Sequence, residues 1–252
     1  MASLCDAHCH LFMKPLAADW VGVRKRAIAA NVTRMIVAGF DTASWDSLYE
    51  YSQSEGVYIA AGLHPWVTDA LDVTALSRTL DKCRAVAIGE IGLDYHINQS
   101  SRSEQIEKLT AQLDLACRRD LPVALHCRGA FEDLLEILAS YTPHLRGMVH
   151  GFSRGPELAK RFTDLGLYIS FGGALTRQGA KRARRSAEVT PLSKILIETD
   201  APAIGLEGVD PEEVEPRHTH EVAVALADLR GVEFKEIAEA TTENAKRLFG
   251  IE

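Results

Sequence analysis

The sequence contains no apolar run long enough to cross a membrane. Its most continuous apolar stretches, such as residues 85–88 and 195–197, are only a few residues long, whereas a spanning helix needs about 20. The first residues, MASLCDAHCHL, also lack the basic segment and apolar stretch of a secretory signal peptide. We therefore expect no membrane segment and no export signal.

Cysteine and positive charge are also scarce. The five cysteines among 252 residues are an odd number spread along the chain, which argues against a disulfide framework and favours a reducing cytoplasm. The formal net charge of −7 is not typical of a protein that coats nucleic acid. A local phosphate site remains compatible with this charge, because bound metal ions can supply positive charge there.

Apolar residues, in contrast, are abundant enough for one large core. They make up 46% of the chain against 25% charged residues, and no linker, repeat or low-complexity tract interrupts the pattern. We therefore expect a single domain over residues 1–252.

Short apolar runs alternate with amphipathic segments along this domain. We predict strands at residues 4–10, 34–40, 57–64, 85–90, 122–126, 147–150, 167–171 and 194–199. Helical patterns lie between or after them, for example at residues 19–31, 103–119, 131–140, 156–165 and 234–249. Eight alternating strands and helices predict an α/β fold, a single (β/α)8 TIM barrel. A doubly wound open sheet is the alternative, although it usually has fewer strands.

Histidines and carboxylates stand at the ends of five predicted strands. They are His8, His10, Glu90, His126, His150 and Asp200. In a barrel these ends share one face, where active sites lie. His8 and His10 are two residues apart on a strand, so both side chains face the same way and can bind one ion.

A lone histidine at a strand end is usually a hydrogen-bonded polar residue, so the metal-site hypothesis depends on the whole set. Mixed imidazole and carboxylate ligands suit zinc, manganese, iron, cobalt or nickel better than calcium.

Several short motifs follow one another in a specific order and spacing. They are D-A-H-C-H at 6–10, G-L-H-P at 62–65, G-E-I-G-L-D at 89–94, L-H-C-R at 125–128, H-G-F-S at 150–153 and E-T-D-A-P at 198–202. Through these motifs the chain resembles the TatD-type metal-dependent deoxyribonucleases, a branch of the amidohydrolase-like barrels, over essentially its full length.

The resemblance implies two divalent metal ions, for which zinc, manganese, magnesium, nickel and cobalt are candidates. It implies that one ion is bound by His8, His10, Glu90 and Asp200, and the second by Glu90, His126 and His150. Glu90 would bridge the ions and offset their repulsion. His64 would lie off the ligand set and face a substrate phosphate; a hydrogen bond to a metal ligand is the alternative.

Two further roles concern catalysis and phosphate binding. Asp200 can hold a metal while accepting a proton from water, so it is the candidate general base and, with Glu90, the candidate catalytic residue. Arg128 is the candidate phosphate-binding residue, because its guanidinium fork can clamp two oxygens.

Other polar residues receive less specific predictions. A basic cluster at residues 181–185 is assigned to a solvated helix face, with a phosphate-backbone contact as the alternative. Asp94 and Tyr95 are expected to shape the mouth of the site, and Cys9 and Cys127 to serve packing. The remaining histidines are expected in loops or on the surface; they are His96, His144, His218 and His220.

We therefore predict a metal-dependent deoxyribonuclease that cleaves DNA, single-stranded or from a 3′ end; the direction comes from the resemblance alone. No obligate protein partner is evident. The segment Ala203-Ile204-Gly205 departs from the family pattern at a place expected to touch substrate. This departure and the acidic balance leave open a hydrolase of a small amide, lactone or phosphoester. The third hypothesis is a non-catalytic binding protein on a relic barrel, against which the intact ligand set argues.

Overall fold

The computed structural model describes residues 2–97 and 100–252. Within these residues eight parallel strands follow one another in chain order. They are β1 (Leu4–Cys9), β2 (Val32–Ala38), β3 (Val57–Ala60), β4 (Ile88–Asp94), β5 (Val123–Arg128), β6 (Gly147–Val149), β7 (Tyr168–Phe171) and β8 (Ile195–Ile197).

Helices connect the strands and follow the last one. They are α1 (Trp20–Ala29), α2 (Thr42–Ser52), α3 (Val73–Cys83), α4 (Arg102–Arg119), α5 (Phe131–Ala139), α6 (Pro156–Asp164), α7 (Lys181–Val189), α8 (Thr219–Arg230) and α9 (Phe234–Phe249). Local sequence fixes several of their starts: α2 and α4 begin with reciprocal capping boxes, and α6 begins with proline. No helix in the described part of the chain is long and apolar enough to cross a membrane.

The strands pair in two ladders, β1-β2-β3 and β4-β5-β6-β7-β8, which isolated parallel bridges join at both seams. At the first seam Ala60 pairs with Ala87, and at the second Cys9 pairs with Ala201. The second seam also carries a hydrogen bond from the Asp200 amide to the carbonyl of His8, at 2.9 Å. The predicted TIM barrel is therefore confirmed in preference to an open sheet.

Small side chains at alternate strand positions fill the inside of the ring. The buried cluster there includes Cys5, Ala7, Ile36, Ala38, Ala60, Ala87, Ala124, Met148 and Leu196. Leu248 and Phe249 of α9 pack against the same cluster, and Thr242 of α9 donates a hydrogen bond to the Ser3 carbonyl at 2.8 Å. The last helix thus covers the amino-terminal end of the barrel, which leaves the carboxyl end for a site.

A register shift in β1 determines which side chains reach that site. Between Asp6 and Cys9 one extra residue interrupts the regular pairing with β2. Ala7 faces the interior of the ring, and after the shift His8 and His10 continue the inward face while Cys9 packs against the outer core. Bulges of this kind commonly re-aim side chains next to active sites.

Two predicted strands end at different places from those expected. The predicted strand at 57–64 stops at Ala60, and residues 61–64 reach the site as irregular chain. The predicted strand at 85–90 is displaced, because β4 continues through Glu90 to Asp94. The other elements occur with ends shifted by one or two residues, and α9 has the predicted bounds.

Candidate metal centre

The six predicted ligands come together at the carboxyl ends of the strands. The Nε2 atoms of His8 and His10 are 3.2 Å apart, and they lie 3.2 and 3.3 Å from Oε2 of Glu90. Asp200 Oδ1 lies 3.3 Å from Nε2 of His10 and 3.8 Å from Nε2 of His8. Neighbouring ligand atoms of a metal bound at about 2.1 Å are roughly 3.0–3.4 Å apart, so this set has the spacing of a coordination site.

The other oxygen of Glu90 faces a second group of side chains. Oε1 lies 2.7 Å from Nε2 of His150 and 2.9 Å from Nδ1 of His126. It also lies 3.0 Å from Nε2 of His64, so this histidine is within hydrogen-bond distance of a candidate ligand, the alternative considered for it above. The two oxygens of one buried carboxylate therefore divide the histidines into two groups.

Asp200 carries an atom that a cation would satisfy. Its Oδ1 is buried and has no hydrogen-bond donor among residues 2–97 and 100–252. A buried carboxylate oxygen without a donor costs free energy, which a bound cation offsets. The backbone of Asp200 also has a φ of 52°, in the left-handed region that few non-glycine residues adopt.

The electrostatics of the centre favour positive charge. Although burial raises the pKa of Glu90, the charge of His150 and hydrogen bonds from His10 and His126 hold it well below its ordinary value. Burial lowers the pKa of His10, but the carboxylates of Asp200 and Glu90 raise it to about 10. Ionised carboxylates thus face an imidazole, that of His10, which holds a proton readily, and a metal ion competes with the proton for such a group.

Hydrogen bonds on the outer side of two histidine rings fix which ring nitrogen faces the candidate metal site. His10 Nδ1 donates a hydrogen bond to the Ala38 carbonyl at 2.8 Å, which leaves Nε2 as the nitrogen that faces the centre. His126 Nε2 lies 3.1 Å from Oδ2 of Asp94, which leaves Nδ1 facing Glu90. Trp66 Nε1 donates to the same Asp94 oxygen at 2.8 Å. Asp94, which was expected to shape the mouth of the site, thus also hydrogen-bonds and orients a candidate ligand.

Two more buried carboxylates support the centre, and the sequence analysis assigned neither a role. Asp6 accepts hydrogen bonds from the Thr199 amide at 3.0 Å, the Thr199 hydroxyl at 2.6 Å and the His8 amide at 3.2 Å. Glu198 accepts hydrogen bonds from Ser170 Oγ and the Gly151 amide, beside His150. Asp6 lies two residues before His8, and Glu198 lies two residues before Asp200. This spacing from a predicted ligand is the sequence signal that could have identified both carboxylates.

A cavity of about 360 Å³ opens over the candidate ligands. Aromatic side chains form part of its wall, since Phe40 stacks on His64 at 4.5 Å between ring centroids and Trp66 stands edge-on at 5.0 Å. Arg128 is exposed and lines the cavity, as expected for a substrate contact. Ala203 and Ile204, where the sequence departs from the family pattern, also line it.

Several peripheral predictions have different outcomes. His218 is buried rather than exposed, because its Nδ1 accepts a hydrogen bond from the Glu215 amide at 2.9 Å. In the basic cluster, Arg184 donates to the Leu175 carbonyl at 2.6 Å, while the remaining basic side chains of α7 are exposed and do not line the cavity. Cys9 packs in the core, whereas Cys127 is half-buried on the cavity wall, where burial raises its pKa to about 12.

Comparison with known proteins gives full-length matches. Residues 5–250 match the family model of TatD-related DNases. A metal-dependent hydrolase of Bacillus subtilis, YabD, is 36% identical, with 98% of this chain and 99% of that protein covered. The 3′-5′ ssDNA/RNA exonuclease TatD of Citrobacter koseri is 33% identical, with 98% of each covered. The crystal structure of the TatD homologue YjjV from Escherichia coli superposes with a TM-score of 0.92 at 32% identity, covering 99% of this chain and 98% of that one.

Proposed function

This chain belongs to the TatD-related DNase family and is a metal-dependent hydrolase, and on that premise we propose that it is a 3′ to 5′ deoxyribonuclease acting on single-stranded DNA. We propose that His8, His10, Glu90 and Asp200 bind one divalent ion. Glu90, His126 and His150 bind the second. The observation that carries this assignment is the division of the ring nitrogens between the two oxygens of Glu90.

Bound divalent ions would lower the pKa of a water molecule and polarise the phosphodiester. Asp200 would accept a proton from such a water at its buried carboxylate. Burial raises the pKa of Asp200, but the hydrogen bond from His10 and the charges of the neighbouring histidines hold it below the ordinary value, which keeps the carboxylate ionised. Arg128 pairs with non-bridging phosphate oxygens through its guanidinium fork.

His64 serves as a neutral hydrogen-bond donor toward the phosphate. Its Nδ1 accepts a hydrogen bond from the Trp66 amide at 3.2 Å, so the ring proton is on Nε2. That nitrogen lies 3.0 Å from Oε1 of Glu90, and a phosphate bound beside the metal ions would compete for its proton. Burial lowers the pKa of His64, which keeps the ring uncharged. Phe40, stacked on the ring, fixes its orientation.

The aromatic wall supports an unpaired substrate strand. Trp66 is 38% exposed at the mouth of the cavity. Bases freed from a duplex stack on such aromatic faces, and this stacking tolerates any sequence. A base held in a pair must first be unpaired before it can enter such a cavity, which costs free energy. We place the activity in the cytoplasm, which the five unpaired cysteines support.

The test measures hydrolysis of single-stranded and duplex DNA labelled at either end, beside a panel of small esters, amides and lactones. A 5′-labelled strand should give a ladder that shortens progressively, and a chelator should abolish cleavage. Hydrolysis of the small panel without cleavage of DNA would instead support the small-substrate alternative, which the apolar Ala203 and Ile204 in the cavity wall favour. Absence of all hydrolysis in the metal-loaded protein would support the relic-barrel alternative.

A further inference from the structure

A second cavity adjoins the one over the candidate metal ligands. Its volume is about 410 Å³, and Phe131 and Arg154 line both cavities. Tyr95, Arg102, Glu132 and Asp133 complete most of its lining. We call this second cavity, with Phe131 and Arg154 at its junction, the rim groove. It extends from the metal centre across the loops that follow β4, β5 and β6.

Two arginine side chains in the rim groove are held in place by aromatic rings. The guanidinium of Arg154 lies 5.1 Å from the centroid of Phe131, and that of Arg102 lies 4.4 Å from the centroid of Tyr95. Stacking of this kind orients a guanidinium while its N–H donors remain free. Among residues 2–97 and 100–252, neither arginine has a carboxylate partner within 4.0 Å.

The carboxylates of the rim groove are already engaged. Glu132 accepts two hydrogen bonds from Arg161, at 2.6 and 2.7 Å. Asp133 accepts the Tyr95 hydroxyl at 2.6 Å. The donors left to meet a ligand are therefore cationic, even though the whole chain carries a net charge of −7. A groove with this arrangement fits an anion that continues from a group bound at the metal centre.

We propose that the rim groove binds the phosphate one nucleotide away from the scissile bond, so that the substrate is an oligonucleotide of three or more nucleotides. This inference rests on the proposed function and names its substrate class. A dinucleotide has only the scissile phosphodiester, whereas a longer strand places a second phosphate beside Arg154. Positively charged grooves that follow the backbone are how proteins hold single strands.

The experiment compares kcat/KM for a tetranucleotide and a dinucleotide of DNA, with bis(p-nitrophenyl) phosphate as a substrate that has no neighbouring phosphate. The parent should prefer the tetranucleotide. Arg154→Gln should lower the ratio of tetranucleotide to dinucleotide kcat/KM roughly tenfold, the effect of a charge-assisted hydrogen bond. Arg102→Gln should lower it less, because Arg102 is more exposed.

Two further variants complete the test. Arg154→Lys keeps the charge but not the fork, so its ratio should lie between those of parent and Arg154→Gln. Arg118→Gln is the matched control, since it removes one exposed arginine at the opposite end of α4 and should leave the ratio at the parental value.

Every outcome of this comparison either supports or overturns the proposed phosphate site in the rim groove. A fall in the ratio for Arg154→Gln, graded through Arg154→Lys and shrinking as salt rises, supports the rim groove. Equal kcat/KM for both oligonucleotides, or a parental ratio in Arg154→Gln, overturns it while the deoxyribonuclease stands. Hydrolysis of bis(p-nitrophenyl) phosphate without cleavage of either oligonucleotide overturns the proposed function and the groove together.

Discussion

Asp200→Asn is the substitution that separates a proton acceptor from a simple metal ligand. Asparagine has the same size, retains an oxygen, and is one of the few residues that tolerates the left-handed backbone found at this position, where φ is 52°. The change therefore removes the charge and basicity of the side chain and preserves its shape.

The size of the effect follows from the role. General acid–base catalysis contributes about 10²–10⁴ in rate, which corresponds to roughly 2.7–5.4 kcal/mol of activation free energy. The set formed by Glu90, His126 and His150 does not include Asp200, so one ion per chain should remain bound in the variant. Elemental analysis gives the metal content, and turnover is measured on single-stranded DNA and on bis(p-nitrophenyl) phosphate.

Asp69→Asn is the matched control, because Asp69 is exposed and does not line the cavity over the candidate ligands. It should keep parental turnover and metal content. An Asp200→Asn enzyme that turns over at a near-parental rate with its metals in place would refute the assignment of Asp200 as the base.

Four further predictions follow from the same centre. Glu90→Gln should reduce binding of both ions, from two per chain in the parent, by elemental analysis; retention of both would exclude the bridging role. Arg128→Ala should weaken DNA affinity more than metal content, with the difference shrinking as salt rises; equal affinity for mutant and parent across a salt series would show that the phosphate site lies elsewhere. Asp94→Asn should lower metal affinity or activity roughly 10–100-fold, since Asp94 orients His126, and an unaltered metal titration would contradict this. The neighbouring carboxylates raise the pKa of His10 to about 10, so a metal ion must displace a proton from this ring. The apparent metal affinity should therefore rise from pH 6 to pH 9, with proton release measurable by calorimetry. A pH-independent affinity would count against His10 as a ligand.

The sequence predicted the presence and approximate place of the eight strands, because parallel strands buried on both faces are continuous apolar runs. It also predicted which residues stand at the carboxyl ends, since the barrel brings those ends together. The residues at which the strands end were harder to predict from the sequence. The sequence analysis ends the fourth strand at Glu90, but β4 continues to Asp94.

The later strand end explains why the hydrogen bond of Asp94 could not be predicted. As part of β4, Asp94 lies beside β5, where it and Glu90 both contact His126. Distances between strands posed a different difficulty. Nothing in the chain near His64 gives its 3.0 Å separation from Glu90, because that contact depends on the path of residues 61–64 after β3. The spacing of residues in the sequence gives their order along one strand, but it does not give the distance between side chains on different strands of the barrel.

The seam between β1 and β8 gives the centre a place in the folding of the chain. Asp6 is hydrogen-bonded to Thr199, 193 residues away, and the same seam sets His8 beside Asp200. Closing so long a segment costs conformational entropy before the contact is gained. Glu90, His126 and His150 come from the consecutive strands β4 to β6, whereas His8 and His10 meet Asp200 only where β1 and β8 close the ring. The first proposed ion site therefore joins the two ends of the fold, and an ion bound there would link the first strand to the chain that follows the last.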